Sequence, residues 1–260
     1  MLKLYKDLMI GYYVVAFTGM ALMWSLRETW NNFGFFALLV VWVYLVMIFF
    51  NLLAGRRLNK VKKMMDVCQL RQAAAAYEKL LHRKNVSTNI LSFLKINLSA
   101  AYCGMGKIDE AREILSDAPV VGKGAMATQL RPVMENNLAA LDCLENRLPR
   151  AEEHLTECER LLQEKRISKE NRAGTARACE DNRAVVAMKQ GDLPAAEALF
   201  TKRLSEPVCL REQMMAHWWL GEICEKTGRA QEAAEHYRFC AERGGDTWQA
   251  EKAREKLKEE

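Results

Sequence analysis

A chain of 260 residues is long enough for one or two domains, and a formal charge of +5 with a mean hydropathy of −0.19 suits an ordinary soluble protein. Both averages hide a split. Residues 1–55 carry +1, residues 56–63 carry +5 and residues 64–260 carry −1, which excludes a basic globular domain and argues against the phosphate-neutralising surface of a nucleic-acid binder.

Two uncharged runs come first. Residues 8–26, LMIGYYVVAFTGMALMWSL, and 34–54, GFFALLVVWVYLVMIFFNLLA, are each long enough to cross a hydrocarbon core as a helix, which takes about 20 residues. The second contains one clearly polar side chain, Asn51. Lys and Arg beside a span tend to stay on the cytoplasmic side. The cluster Arg56, Arg57, Lys60, Lys62 and Lys63 therefore holds residues 64–260 in the cytoplasm, and Lys3 and Lys6 hold the N-terminus there. The connection 27–33, RETWNNF, is short and nearly neutral, with Trp24 and Trp30 flanking it at the depth indoles favour. The expectation is a transmembrane hairpin over residues 1–55, both termini cytoplasmic, in a bacterial cell membrane. A cleaved signal peptide is the rival for the first run, but its length and the lack of a small-x-small cleavage site argue against it. The basic segment 56–63 sets orientation and attracts anionic lipid headgroups; specific phosphoinositide or nucleic-acid binding is the sharper and less economical reading.

All eight cysteines lie beyond the spans, and none forms a C-x-x-C pair. Thiols used as small apolar side chains in a reducing compartment account for them.

From residue 64 onward the sequence repeats. CQLRQAAAAY (68–77), GKIDEAREIL (106–115), NRLPRAEEHL (146–155), GDLPAAEALF (191–200) and GRAQEAAEHY (228–237) align, with Ala at the sixth place and a large apolar or aromatic residue at the tenth. Their offsets are 38, 40, 45 and 37 residues. A second helical pattern precedes each of the last four: FLKINLSAAYCGMG, MENNLAALDCLEN, CEDNRAVVAMKQG and MAHWWLGEICEKTG. Gly106, Gly191 and Gly228 suit a helix C-terminus, and Pro149 and Pro194 fall in the first turn of the helix after. The unit is helix, turn, helix, linker.

This pattern resembles the tetratricopeptide repeat. The last copy is nearest, with Leu220, Gly221, Gly228, Ala233 and Tyr237 at the family's spacing. The second keeps Leu98, Tyr102, Gly106 and Ala111; in the third Asn146 replaces the turn glycine, and in the fourth Arg183 stands where the family usually has Leu. The first has Ala73 and Tyr77, and its first helix begins inside the basic segment, so that helix either belongs to a complete repeat or simply continues the second span. Linkers 119–126 and 164–171 stretch the period. The resemblance implies an all-α chain: a hairpin, then a solenoid of about five degenerate helix pairs over 64–245, wound as a right-handed superhelix with a concave groove. Stacked repeats share a core and need a polar-faced end. Residues 246–260, DTWQAEKAREKLKEE, suit that capping helix, with Asp246 or Thr247 as its cap and Trp248 and Leu257 packed inward.

No catalytic constellation is visible. The histidines His82, His154, His217 and His236 make no H-E-x-x-H and no i, i+4 pair; Gly122 and Gly124 lack the rest of a phosphate loop; Glu152 and Glu153 lie on a charged helix face. His154 among acidic neighbours reads as a solvated helix residue before a metal ligand. No metal and no cofactor is expected. Counting fourteen residues back from each repeat Ala gives Asn59, Asn97, Asn137, Asn182 and Trp219. In the family this place faces the groove, and Asn there often holds the backbone of an extended peptide. A primary amide offers a donor and an acceptor, which matches a peptide unit without reading its side chain. Trp218, Trp219 and Met215 would add apolar contact, although either tryptophan could instead be core.

The expected function is a membrane-anchored cytoplasmic scaffold or adaptor that binds a protein or extended peptide, which could itself be membrane-bound, and no nucleic acid. A helical or globular partner, or no groove ligand, stays open. So does a different class: an enzyme or enzyme subunit with an unrecognised site near the membrane face, around Arg56 to Lys63.

Overall fold

The computed structural model describes residues 5–25, 27, 32–83, 86–118 and 124–259. Lys3, Trp30, most of the 27–33 connection and most of the 119–126 linker lie outside them. Twelve helices and no strand occur among the described residues. Two compact units result: the described residues up to Lys62 together with Arg83 and Val86, and the remainder.

The first unit pairs α1 (Lys6–Ser25) with α2 (Asn32–Asp66). Both helices are long and apolar enough to cross a membrane. They approach closely because small residues face large ones: Gly19 lies against the Trp42 indole and Gly11 against the Phe50 ring. Leu8, Ala16, Val46, Phe50 and Ala54 form the seam, while Phe17, Leu22, Phe36, Val40 and Leu52 point outward with more than half their surface bare. At one end Arg57 pairs with Asp7 at 2.6 Å and lies over the Tyr5 ring at 5.1 Å, which puts the start of α1 beside the basic segment.

The second unit is a chain of helix pairs: α3 (Leu70–Leu81), α4 (Thr88–Gly104), α5 (Ile108–Ser116), α6 (Ala125–Leu144), α7 (Leu148–Leu162), α8 (Lys169–Gln190), α9 (Leu193–Ser205), α10 (Leu210–Lys226), α11 (Ala230–Arg243) and α12 (Trp248–Glu259). Within a repeat the pairs are α4 with α5, α6 with α7, α8 with α9 and α10 with α11.

One turn builds them all. Cys68, Gly106, Asn146, Gly191 and Gly228 each have positive φ, between 59° and 101°. The residue after each donates its N–H to a carbonyl five residues back: Gln69 to Met64, Lys107 to Tyr102, Arg147 to Asp142, Asp192 to Ala187 and Arg229 to Cys224, all at 2.8–2.9 Å. This is the left-handed helix ending that satisfies orphan carbonyls. Glycine takes that conformation freely and asparagine with little strain, whereas a cysteine there opposes about 1–2 kcal/mol. The first copy thus has the same turn as the others, and the helix entering it is the far end of α2.

The aligned positions are the core. Ala73, Ala111, Ala151, Ala196 and Ala233 are all buried, as are Tyr77, Leu115, Leu155, Phe200 and Tyr237. Alanine lets paired helices close up, and the larger residue fills the space beside them. At Gly221 an added methyl would come within 2.6 Å of the Tyr237 ring. Pro149 and Pro194 sit at the starts of α7 and α9, where the missing N–H loses no helical bond.

Two buried carboxylates pin neighbouring helices. Asp142, without solvent exposure, takes Arg112 at 2.8 Å and Arg147 at 3.0 Å. Asp181 takes the buried Arg203 at 2.8 Å, and Arg203 also reaches Glu206 at 2.5 Å and Glu180 at 3.2 Å. Burial pushes the Asp181 carboxyl up to about 6, although the guanidinium of Arg203 pulls it down. Removing one partner of such a pair strands the other. Arg203→Ala should cost about 3–5 kcal/mol in urea unfolding, and replacing both residues with apolar ones, as in Asp181→Leu/Arg203→Met, should recover most of the loss.

Candidate partner-binding face

The first helices of successive pairs, α4, α6, α8 and α10, line a common cavity of about 150 Å³ in the second unit. Its wall includes Cys103, Asn137, Asn182, Met215 and Trp219, and Thr247, Trp248 and Gln249 at the start of α12 close it. An adjoining cleft of about 480 Å³ shares Leu144, Trp219 and Trp248 and is bordered by Lys189, Glu222, Glu251 and Lys252.

The asparagines take different places. Asn97 donates its amide to the Phe93 carbonyl of its own helix at 2.7 Å. Asn137 on α6 donates to the Ile96 carbonyl of α4 at 3.2 Å. Asn182 on α8 donates to the Asn136 side-chain oxygen of α6 at 3.0 Å. The amide nitrogens of Asn137 and Asn182 thus stitch one repeat to the next. Asn59 is exposed on α2 and belongs to the first unit, not to the array that carries the other three.

Trp218 and Trp219 are both buried, and they contact Trp248 edge to face at centroid distances of 5.1 Å and 6.3 Å. They are core residues and cavity walls at once. Arg56, Arg57, Lys60, Lys62 and Lys63 are exposed along the last part of α2.

Sequence reasoning missed how the far end of the array returns to its beginning. Asp246 does not cap the helix after it. Its two carboxylate oxygens accept the backbone N–H groups of Leu70 at 2.6 Å and Arg71 at 2.7 Å, capping α3 from 176 and 175 residues away. Its own N–H donates to the Cys68 carbonyl at 3.3 Å. Gly245, with φ of 58°, lies so near that a methyl there would sit 2.4 Å from the same oxygen. Thr247 is the cap of α12, accepting the Ala250 N–H at 3.3 Å. Only the run GGD ahead of a helix hinted at a special turn, and nothing in it named the partner.

One polar atom on the cavity wall is unsatisfied: the Gln249 side-chain oxygen is buried with no hydrogen-bond partner among the described residues. No group of three or more metal-ligating side chains occurs among them either. His154 is bound instead to Glu135 at 2.7 Å. His217 and His236 share a hydrogen bond between Nδ1 atoms at 2.9 Å, with Phe239 stacked on His217 at 3.9 Å.

These helix pairs, with their shared turn and their buried small and large positions, define a helical-repeat array. Residues 182–244 match the family model of the tetratricopeptide repeat. Among curated proteins, none matches the chain. Arrays of this family generally mediate protein–protein contact and are typically non-catalytic.

The Asp246 cap and the histidine pair can each be tested. Asp246→Ala should cost about 0.5–2 kcal/mol, the usual worth of a cap, and should speed amide hydrogen exchange at Leu70 and Arg71 more than elsewhere in α3. The histidine pair gives a pH dependence. Burial first, and then the charge of His236, pushes His217 down to about 4. Burial likewise lowers His236, against the raising effect of Glu232 and Glu235. At these two imidazoles the unfolded chain binds more protons than the folded one below about 6.5, so their contribution to stability falls as pH drops from there toward about 4. Thermal unfolding should show a steeper acid loss in the wild type than in His217→Gln.

Proposed function

We propose that this chain is a membrane-anchored scaffold whose helical array binds a protein or extended peptide on the face lined by α4, α6, α8 and α10. The hairpin of α1 and α2 is the anchor. Its outward surface is apolar, and the Arg57–Asp7 pair supports both helix ends lying on one side. That side is the cytoplasmic one on the positive-inside rule, where Arg56, Arg57, Lys60, Lys62 and Lys63 meet anionic headgroups, each adding about 1 kcal/mol of attraction. Anchoring raises the effective concentration of any partner in the same membrane.

The observation that carries the binding reading is the unpaired Gln249 oxygen. A buried acceptor without a donor costs about 1–3 kcal/mol. A bound chain offering an N–H would remove that cost, and the oxygens of Asn137 and Asn182 would take further donors along it. A cavity of about 150 Å³ takes one side chain rather than a length of peptide. A partner therefore inserts an anchor residue between Met215 and Trp219, and a longer run requires the Asp246 contact to part.

The test is co-purification from mild detergent, with partners identified by mass spectrometry. Replacing Asn182 would disturb the fold, so the variants are Met215→Glu and Gln249→Leu. A specific partner should be lost from the first and weakened by the second while helical content by circular dichroism stays unchanged. A partner retained by both variants would move the binding surface elsewhere.

A further inference from the structure

The eight cysteines of the array are all free thiols, and most are buried. Most of the close sulfur contacts reach ordinary acceptors: Cys143 meets the Asn182 carbonyl at 3.8 Å, Cys240 the Met214 carbonyl at 3.6 Å and Cys224 a Glu232 oxygen at 4.0 Å. Cys158 on α7 and Cys179 on α8 differ. Their sulfurs lie 2.8 Å apart, inside the core, with 0% and 2% of each residue exposed. That is well inside the roughly 3.5–4.0 Å at which unbonded heavy atoms pack, and less than an ångström from the roughly 2.05 Å of a disulfide.

We propose that Cys158 and Cys179 form an oxidative modification site, which a peroxide converts to an intramolecular disulfide joining α7 to α8. The chemistry balances. One sulfur attacks a peroxide oxygen while its thiol proton passes to the leaving oxygen; the O–O bond breaks, water leaves and a sulfenic acid forms. The second sulfur attacks the first; the S–O bond breaks, the S–S bond forms, and the departing oxygen leaves as water with the second thiol's proton. The two thiols lose two electrons, and the peroxide gains them to become two waters. The oxidant has to be small because the site is closed, and hydrogen peroxide is little larger than water.

The location gives the bond a consequence. Cys179 stands one helical turn before Asn182 on α8. The Cys158 thiol donates to the Pro132 carbonyl at 3.2 Å, and Pro132 stands one turn before Asn136 on α6. The pair is therefore tied to α8 and α6 about one helical turn from the Asn182–Asn136 hydrogen bond that joins two walls of the candidate groove. Oxidation would fix α7 against α8 at that joint. It would also remove the short thiol–thiol contact which, together with burial, pushes the Cys158 thiol up.

The experiment uses the full-length protein in mild detergent, either reduced or treated with hydrogen peroxide, then denatured, alkylated and mapped by mass spectrometry. The expected result is loss of two hydrogen atoms, one linked peptide pair containing Cys158 and Cys179, and a higher unfolding temperature that a reductant reverses. Cys158→Ser and Cys179→Ser should each abolish the linked pair. If either serine variant fails to fold, wild-type mapping alone decides. Recovery of both cysteines in alkylated form after peroxide, separate oxidation of each to the sulfinic acid, or linkage to other cysteines would overturn the proposal. None of these outcomes depends on whether a partner occupies the groove.

Discussion

Each helix pair in the array turns on one residue with positive φ. That residue directs the next N–H to a carbonyl five positions back, and the second helix then returns along the one before it. The rest of the packing depends on this reversal. It presents Ala73, Ala111, Ala151, Ala196 and Ala233 to the preceding helix at the same height each time, and places Tyr77, Leu115, Leu155, Phe200 and Tyr237 one turn further along. No single pair buries both its faces. Each obtains the missing cover from its neighbour, so the core is continuous while every local instruction stays short.

That economy explains what could be read in the sequence. The turns, the alanines and the large tenth residues repeat at similar offsets, so five weak signals reinforce one another and fix the helix pairs. Cys68 is the least legible of them, because nothing about a cysteine announces a left-handed turn. Its conformation is imposed by its surroundings: the Cys68 carbonyl accepts the Asp246 N–H, and Gly245 packs against it. The candidate site is less legible still. The spacing rule finds Asn97, Asn137 and Asn182, but it does not tell an amide that bonds its own helix from one that bonds the next repeat. That difference depends on how closely neighbouring first helices approach. The Asp246 carboxylate on the Leu70 and Arg71 amides is out of reach altogether, since a contact spanning 176 residues leaves no local pattern.

The same contact limits how the face lined by α4, α6, α8 and α10 could work as the proposed site. A stack of repeats with free ends leaves an open groove, but here the turn before α12 caps α3, and Trp248 stands where the two cavities meet. The start of α12, through Thr247, Trp248 and Gln249, closes the cavity lined by α4, α6, α8 and α10. On the proposed reading, binding there would be a competition. A partner has to supply more than the cap and the indole contacts it displaces, or else fit an anchor side chain into the space that remains. A few strong local contacts would satisfy the second route, whereas the first would favour a long partner engaging several repeats at once.

Charge shows the same division between holding and exposing. Asp142 and Asp181 are buried with arginines from adjacent helices, and breaking either pair would leave an uncompensated charge in the core. The net positive charge, by contrast, is concentrated on the last turns of α2. Across residues 64–260 the formal charge is close to neutral, so long-range attraction does little to steer partners toward the array. On the proposed reading, selection of a partner would rest on short-range fit: a donor for Gln249, an apolar anchor against Trp219 and Met215, and proximity gained from whatever surface the basic segment holds.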